Sequence, residues 1–228
     1  MRRSPLLPLV VLLLGACASN PGSASGAGAI ADAGGASEAA AAADRPLADL
    51  ASQRVVVVPA QRLRAGDSLG FAAAAGDASA YLRALDDEIT FALRERGLAG
   101  RWIMPADAAR AARRNPTFGI DAYALAADEM RAGVRRRDPP EIPVALAAQL
   151  RGLVALGGEG TRLALVPGEL RFAGTAGAGR AVLHVVLVDT RRAQVAWEGD
   201  VSSDPVERFS PALLASVAGN LANLISAP

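Results

Sequence analysis

One cysteine, one histidine and a few acidic groups are what this sequence offers for chemistry. Cys17 and His184 are the only residues of their kinds among 228, so no Cys/His metal cluster can be assembled. His184 sits in the apolar run LHVVLVD and reads as a hydrogen-bonded strand residue rather than a catalytic base. Asp86-Asp87-Glu88 could suggest metal or acid–base work. Consecutive helical residues point in different directions, however, and the triplet reads as a solvated helix face. Asp121, Asp128 and Glu129 receive the same reading. The glycine runs GGEG (Gly157–Gly160) and GTAGAG (Gly174–Gly179) lack the G-x-G-x-x-G spacing. The second also lies between two strands, not at the helix start a phosphate cradle needs. No serine has a nameable partner base. The sequence therefore predicts no catalytic residue, no metal ligand and no cofactor: not an enzyme.

Cys17 has a different chemistry available to it. Arg2 and Arg3 precede the apolar run Leu6–Leu14, followed by Gly15-Ala16-Cys17. A spanning helix needs roughly 20 apolar residues, so this run is a secretory signal rather than a membrane span. Leu14-Gly15-Ala16-Cys17 resembles the bacterial lipoprotein box, which implies a diacylglyceryl group on the Cys17 thiol and cleavage ahead of it. Residues 1–16 are then the signal peptide and Cys17 the lipid-attachment site. The competing reading is ordinary cleavage at Ala16-Cys17-Ala18, which discards the cysteine. Several acyl chains on one residue anchor a protein stably where one is marginal. Ala18, rather than Asp, follows the cysteine. By resemblance to the sorting pattern of Gram-negative lipoproteins, that implies the outer membrane, facing the periplasm.

All 24 basic residues are arginine, against 23 acids. The first sixteen residues hold two of those arginines and no acid, so a chain starting at Cys17 carries 22 against 23. A balance that close excludes a nucleic-acid binder held by global charge. Aromatic residues make up only 4%, which leaves the core to Leu, Val and Ile.

The elements that must position any site follow in order. Residues 17–46, nearly all Ala, Gly, Ser and scattered acids, form a flexible tether with a reach of about 30 Å. Residues 47–228 are expected to form a single domain. Arg54–Pro59 reads as a buried strand, Gln61–Gly76 as a loop. Asp77 caps a helix carrying Leu82, Leu85, Ile89 and Leu93 on one side and ended by Gly97. Trp102–Met104 is a short second strand, and Pro105 opens a helix that Asn115-Pro116 stops. A helical insertion spans about 117–160, with helices over 121–132 and 143–156 and an exposed basic loop at Arg135–Arg137. A strand over 162–172 bends at Pro167-Gly168. The hairpin 181–189/194–202 follows, and Ser210-Pro211 starts a last helix with Leu213, Val217, Leu221 and Leu224 along its stripe. Both faces of the 182–188 strand are apolar, as a strand covered on both sides requires. The fold class is α/β (α+β), a mixed sheet of about five strands covered by helices in the order β-α-β-(insertion)-β-β-β-α.

RVVVVPAQ, the long first helix, GLAGRWIMPADAARAARRN and VVLVDTRRAQVAW resemble the amino-terminal domain of the Tol–Pal protein TolB. The same domain recurs in curli-secretion lipoproteins and in lipoprotein activators of peptidoglycan synthases. The most specific element is a hairpin bounded by Asp and ended by Trp, here Asp189 and Trp197. Trp197 is expected under a helix, with Trp197→Ala costing about 3–5 kcal/mol if it is buried. Ala193 stands where the family has glycine. A left-handed backbone there costs alanine about 1 kcal/mol, so a turn of another type is expected. Residues 117–160 do not match, and no β-propeller follows the domain as it does in TolB.

Three function classes are consistent with this reading. The favoured one is a membrane-anchored periplasmic lipoprotein acting as a non-catalytic protein-interaction module of the cell envelope, its partner an unidentified envelope protein. The alternative is a subunit of an outer-membrane secretion or assembly complex, for which a large homo-oligomer is the signature. An envelope enzyme using only acids in the insertion comes last.

Overall fold

The protein is described by a computed structural model covering residues 45–126 and 140–227. Cys17, the tether up to residue 44, Asp128, Glu129 and Arg135–Arg137 lie outside the described residues.

Four strands make one mixed sheet: β1 (Val55–Val57), β2 (Leu163–Thr175), β3 (Ala178–Asp189) and β4 (Gln194–Ser202), in that spatial order. β1 runs parallel to β2, and the other pairings are antiparallel. The expected fifth strand, 101–104, is a single parallel bridge between Val56 and Ile103. It cannot grow, because Pro105 starts a helix at once and Met104 is spent as its cap. The expected loop after Pro59 also differs from the sequence reading. Its first part stays beside β2, with Gln61 N–H donating to Pro167 O (3.0 Å) and Arg64 N–H to Leu170 O (2.8 Å). Its later part holds a one-turn helix, α1 (Phe71–Ala74), whose start is fixed by Asp67 accepting from Leu69, Phe71 and Ala72 N–H. The bend at Pro167-Gly168 is present as a register shift between Pro167 and Glu169.

Strand alternation sorts the core into two layers. Val55 and Val57 face α2 (Ala78–Glu95) and α5 (Ala212–Asn223), together with Leu165, Leu183, Val185 and Leu187. Val56 and Val58 face the opposite way, into a cluster with Ala164, Val166, Val186 and Val188. There they meet α3 (Pro105–Arg114) through Ala108, Ala109 and Ala112, and α4 (Val144–Leu156) through Leu146, Leu150 and Leu153. The first and last long helices thus share one face, and α3 together with α4 of the insertion covers the other. The sequence cues for the helix ends hold. Asp77 accepts from Ala80 N–H at 2.7 Å, and Gly97 takes the left-handed conformation just past α2. Ser210 Oγ accepts from Ala212 N–H at 3.2 Å where α5 starts. Arg96, which caps the end of α2, donates to Asn223 Oδ1 at the end of α5 and ties the two together.

Two segments depart from expectation where they are described. Residues 121–126 of the expected 121–132 helix form a turn, in which Asp121 Oδ1 accepts from Tyr123 N–H at 3.0 Å, and the rest of that segment lies outside the described residues. Gln61 then holds the segment non-helical by donating to Ala122 O and accepting from Leu125 N–H. The hairpin turn is the second. Ala193 keeps the left-handed conformation at φ 56°, so the turn has not changed type. The backbone is held there from outside the hairpin, because Ala193 O accepts from Ile142 N–H and Val195 N–H donates to Pro140 O. Ala193→Gly should therefore stabilise the protein by about 0.5–1 kcal/mol, a rise of about 2 °C in thermal melting.

Candidate functional site

Two places gather polar groups. The first is a row across the strands. Glu169, His184 and Asp200 are neighbours in register on β2, β3 and β4. His184 Nδ1 lies 3.1 Å from Asp200 Oδ1 and Nε2 lies 3.5 Å from Glu198 Oε1, with the imidazole side chain 14% exposed. Arg171 grips Asp200 with both terminal nitrogens, at 2.7 and 3.3 Å, and that hydrogen bonding holds the Asp200 carboxyl below its ordinary value. Arg64 meets buried Glu169 at 2.9 Å. Glu169 and Asp200 are each paired with an arginine, and no group of three or more metal-capable side chains occurs among the described residues. The row is an ion-pair ladder that lets polar side chains occupy the sheet, which is the structural role expected of His184.

The acids of α2 do not behave as one solvated face. Asp86 is buried, 4% exposed, with Oδ1 accepting from Ala60 N–H at 2.8 Å and Oδ2 without a partner. Burial, opposed by that hydrogen bond and reinforced by the charge of Asp87, pushes its pKa up to about 7. Leu85 and Ile89 flank it on the buried stripe, so the helix rotation that buries them carries residue 86 inward as well.

The second place is open. A groove of about 490 Å³ lies where the lead-in to the domain crosses the turn end of the β3–β4 hairpin. Its apolar wall is Leu47, Leu50, Leu163, Leu187 and Trp197, and its mouth carries Asp49, Gln53, Arg162, Asp189, Arg192 and Gln194. The lead-in is a 3₁₀ turn, Ala48–Ser52. It is held because Leu47 N–H donates to Leu224 O at the end of α5 and the Trp102 indole N–H donates to Leu50 O. The hairpin turn is equally fixed. Asp189 Oδ1 accepts from Arg191 and Arg192 N–H, while Thr190 donates twice to Arg162 O, through its N–H and its hydroxyl. Arg151 of α4 adds a bond from Nε to Thr190 O at 3.0 Å. The Asp that bounds the hairpin is thus a turn-maker, and Arg192 is carried on a rigid backbone.

Trp197 closes the groove from β4. It is half-buried and forms a wall of the groove rather than lying enclosed beneath a helix, which corrects the expectation for it. Its six-membered ring lies over Gly199, where a Cβ would sit 2.6 Å from the ring edge, so only glycine at 199 lets the indole lie flat along its own strand. With part of its surface in water, Trp197→Ala should cost about 2 kcal/mol, less than the range for an enclosed tryptophan, as read by denaturant unfolding.

The lead-in residues carried no assignment from sequence. The signal was there in Leu47-x-x-Leu50 straight after Pro46, an apolar pair following a segment with almost none. A cavity of similar size, about 510 Å³, opens at the opposite end between Ser68–Phe71 and the tip Gly174–Gly177, with Glu207 as its one charge.

The described residues define a class: a four-stranded mixed α+β sheet between two helical layers, with a groove at the turn end of its edge hairpin. No family model and no curated protein matches the sequence. The chain is similar to several solved proteins. The PelC dodecamer from Paraburkholderia phytofirmans shares 13% identity at a TM-score of 0.37, over 77% of this chain and 90% of that one. E. coli LpoB shares 11% at 0.33, over 89% and 84%. Lipoprotein GNA1162 from Neisseria meningitidis shares 16% at 0.34, over 75% and 96%. One of these structures, that of GNA1162, is of a lipoprotein. Likenesses this distant say nothing of ligand or partner, and the groove has to be read from its own residues.

Proposed function

We propose that this protein is a membrane-anchored periplasmic lipoprotein that works as a non-catalytic interaction module of the cell envelope. In this reading residues 1–16 are the signal peptide, Cys17 carries the lipid, residues 17–46 are the tether and residues 47–228 the domain. The observation that carries the interaction role is the groove, which combines an apolar wall with charged groups on two rigid turns. Partner sites favour that combination, an apolar centre with a polar rim. Among the described residues no helix is long and apolar enough to cross a membrane. The anchor in this reading is the lipid on Cys17 of the box Leu14–Cys17. Outer-membrane placement rests on Ala18.

A photo-crosslinking amino acid placed at 192, compared with one at Phe91, tests the module in intact cells. Phe91 is 63% exposed and lies on α2, outside the groove. A discrete envelope-protein adduct from 192 and none from 91 is the expected result. No adduct from either position, or equal adducts from both, would remove the groove as the interaction site.

A further inference from the structure

We infer that the groove takes an acidic, apolar segment of a partner protein: an apolar side chain against Trp197, with a neighbouring carboxylate held by Arg162 and Arg192. This rests on the interaction-module reading and names the chemistry of its partner.

The apolar half of the argument is the wall. Leu47, Leu50, Leu163 and Leu187 are buried by the fold itself, and Trp197 is the groove-lining aromatic left partly in water. A half-exposed indole held flat in a preformed groove gives up solvent at little entropic cost when a side chain covers it. The indole Nε1–H has no hydrogen-bond partner among the described residues and adds a donor to that wall.

The polar half is an imbalance between free donors and free acceptors. Asp189 is consumed, one oxygen by the Arg191 and Arg192 amides and the other by the Arg162 guanidinium at 3.9 Å. That distance is loose for an ion pair, and the Arg162 side chain is about half exposed, so its remaining N–H groups face outward. The Arg192 guanidinium forms no ion pair among the described residues, although its backbone is fixed by Asp189. Gln53 and Gln194 add amide groups at the mouth. Asp49 is a carboxylate of the mouth that forms no ion pair among the described residues. A fork of guanidiniums beside an apolar wall is complementary to a carboxylate next to a large apolar residue, and Asp49 works against it.

The test uses the full chain in mild detergent and two synthetic peptides, Asp-Glu-Leu-Phe-Asp-Glu and its counterpart with lysine at every acidic position. Trp197 fluorescence is the reporter, and Trp197→Phe identifies its share of the signal, since Trp102 is enclosed. The acidic peptide should shift the emission, and the lysine peptide should not. Arg192→Glu should weaken the acidic peptide about tenfold, Arg162→Glu by a smaller factor, and Asp49→Asn should tighten it. Arg192→Gln, which keeps the side chain's length without its charge, should fall between, and unchanged thermal melting confirms that it folds.

Several results would overturn the inference. Equal binding of both peptides would, and so would binding unaffected by Arg192→Glu. Displacement of the peptide by phosphatidylglycerol vesicles with no effect of the Trp197 change would assign the arginines to lipid. A homo-oligomer that dissociates on Trp197→Ala would give the groove to a second copy. Loss of peptide binding while crosslinking from 192 persists would sink the acidic-apolar class alone; loss of both would sink the module reading too.

Discussion

A Cys17→Ser variant should leave the membrane fraction completely while its globular part melts unchanged. The thiol at 17 is the only one in the chain, so no second cysteine can accept the diacylglyceryl group. Serine matches cysteine closely in size but cannot form the thioether. The precursor should therefore accumulate uncleaved or escape as soluble protein. The first described contact that ties the chain to the domain is Leu47 N–H on Leu224 O, well past Cys17. The described fold is therefore expected to be unaffected by the change at residue 17. Any activity that needs nearness to the bilayer should fall, because the proposed tether would confine the domain to about 30 Å from its proposed anchor and raise its local concentration there. Fractionation in high salt and detergent, with intact-mass measurement of the wild type, checks this. Wild-type protein released by salt alone, or lacking acyl mass, would transfer the cleavage to Ala16-Cys17-Ala18.

What the sequence made legible was periodicity. Valine and leucine alternation in β1–β3 identified a sheet covered on both faces, and the stripes of α2 and α5 identified one cover. Pro105 and Gly97 marked helix ends because their backbone chemistry allows few other positions. What stayed hidden was decided by tertiary partners. Val58–Arg64 lies along β2 through hydrogen bonds to residues more than a hundred positions away, and Pro59 had argued for a stop. Asp86 reads as surface in a triplet of acids until the neighbours at 85 and 89 fix the helix rotation. Ala193 holds a glycine conformation because Ile142 grips its carbonyl, a bond no local pattern reveals. The groove was the least legible feature, since it forms where residues 46–53 cross residues 187–197. Hairpin and lead-in each read as scaffolding when taken alone.

Asp86 should make the stability of this protein fall as pH rises from about 4 to about 7. Its folded pKa of about 7 lies above the ordinary 3.8, with burial as the main cause. Between those values the unfolded chain has released the proton and the folded protein keeps it. Raising pH therefore favours unfolding, at about 1.4 kcal/mol per unit, for a total on the order of 4 kcal/mol. Below pH 4 both states are protonated and the group contributes no slope; above 7 the loss is complete. Asp200 acts in the opposite sense. Its pKa is depressed, chiefly by Arg171, so its stabilisation is lost as pH falls through the ordinary carboxylate range. A raw stability profile mixes the two, and the difference between wild type and Asp86→Asn isolates the first. Asparagine keeps the acceptor for Ala60 N–H and cannot ionise. The variant should match wild type near pH 3.5 and exceed it by several kcal/mol near pH 8 in denaturant unfolding. A difference independent of pH would mean that the Asp86 carboxyl is ionised in the folded protein, with a partner or a water satisfying the oxygen that the fold leaves bare.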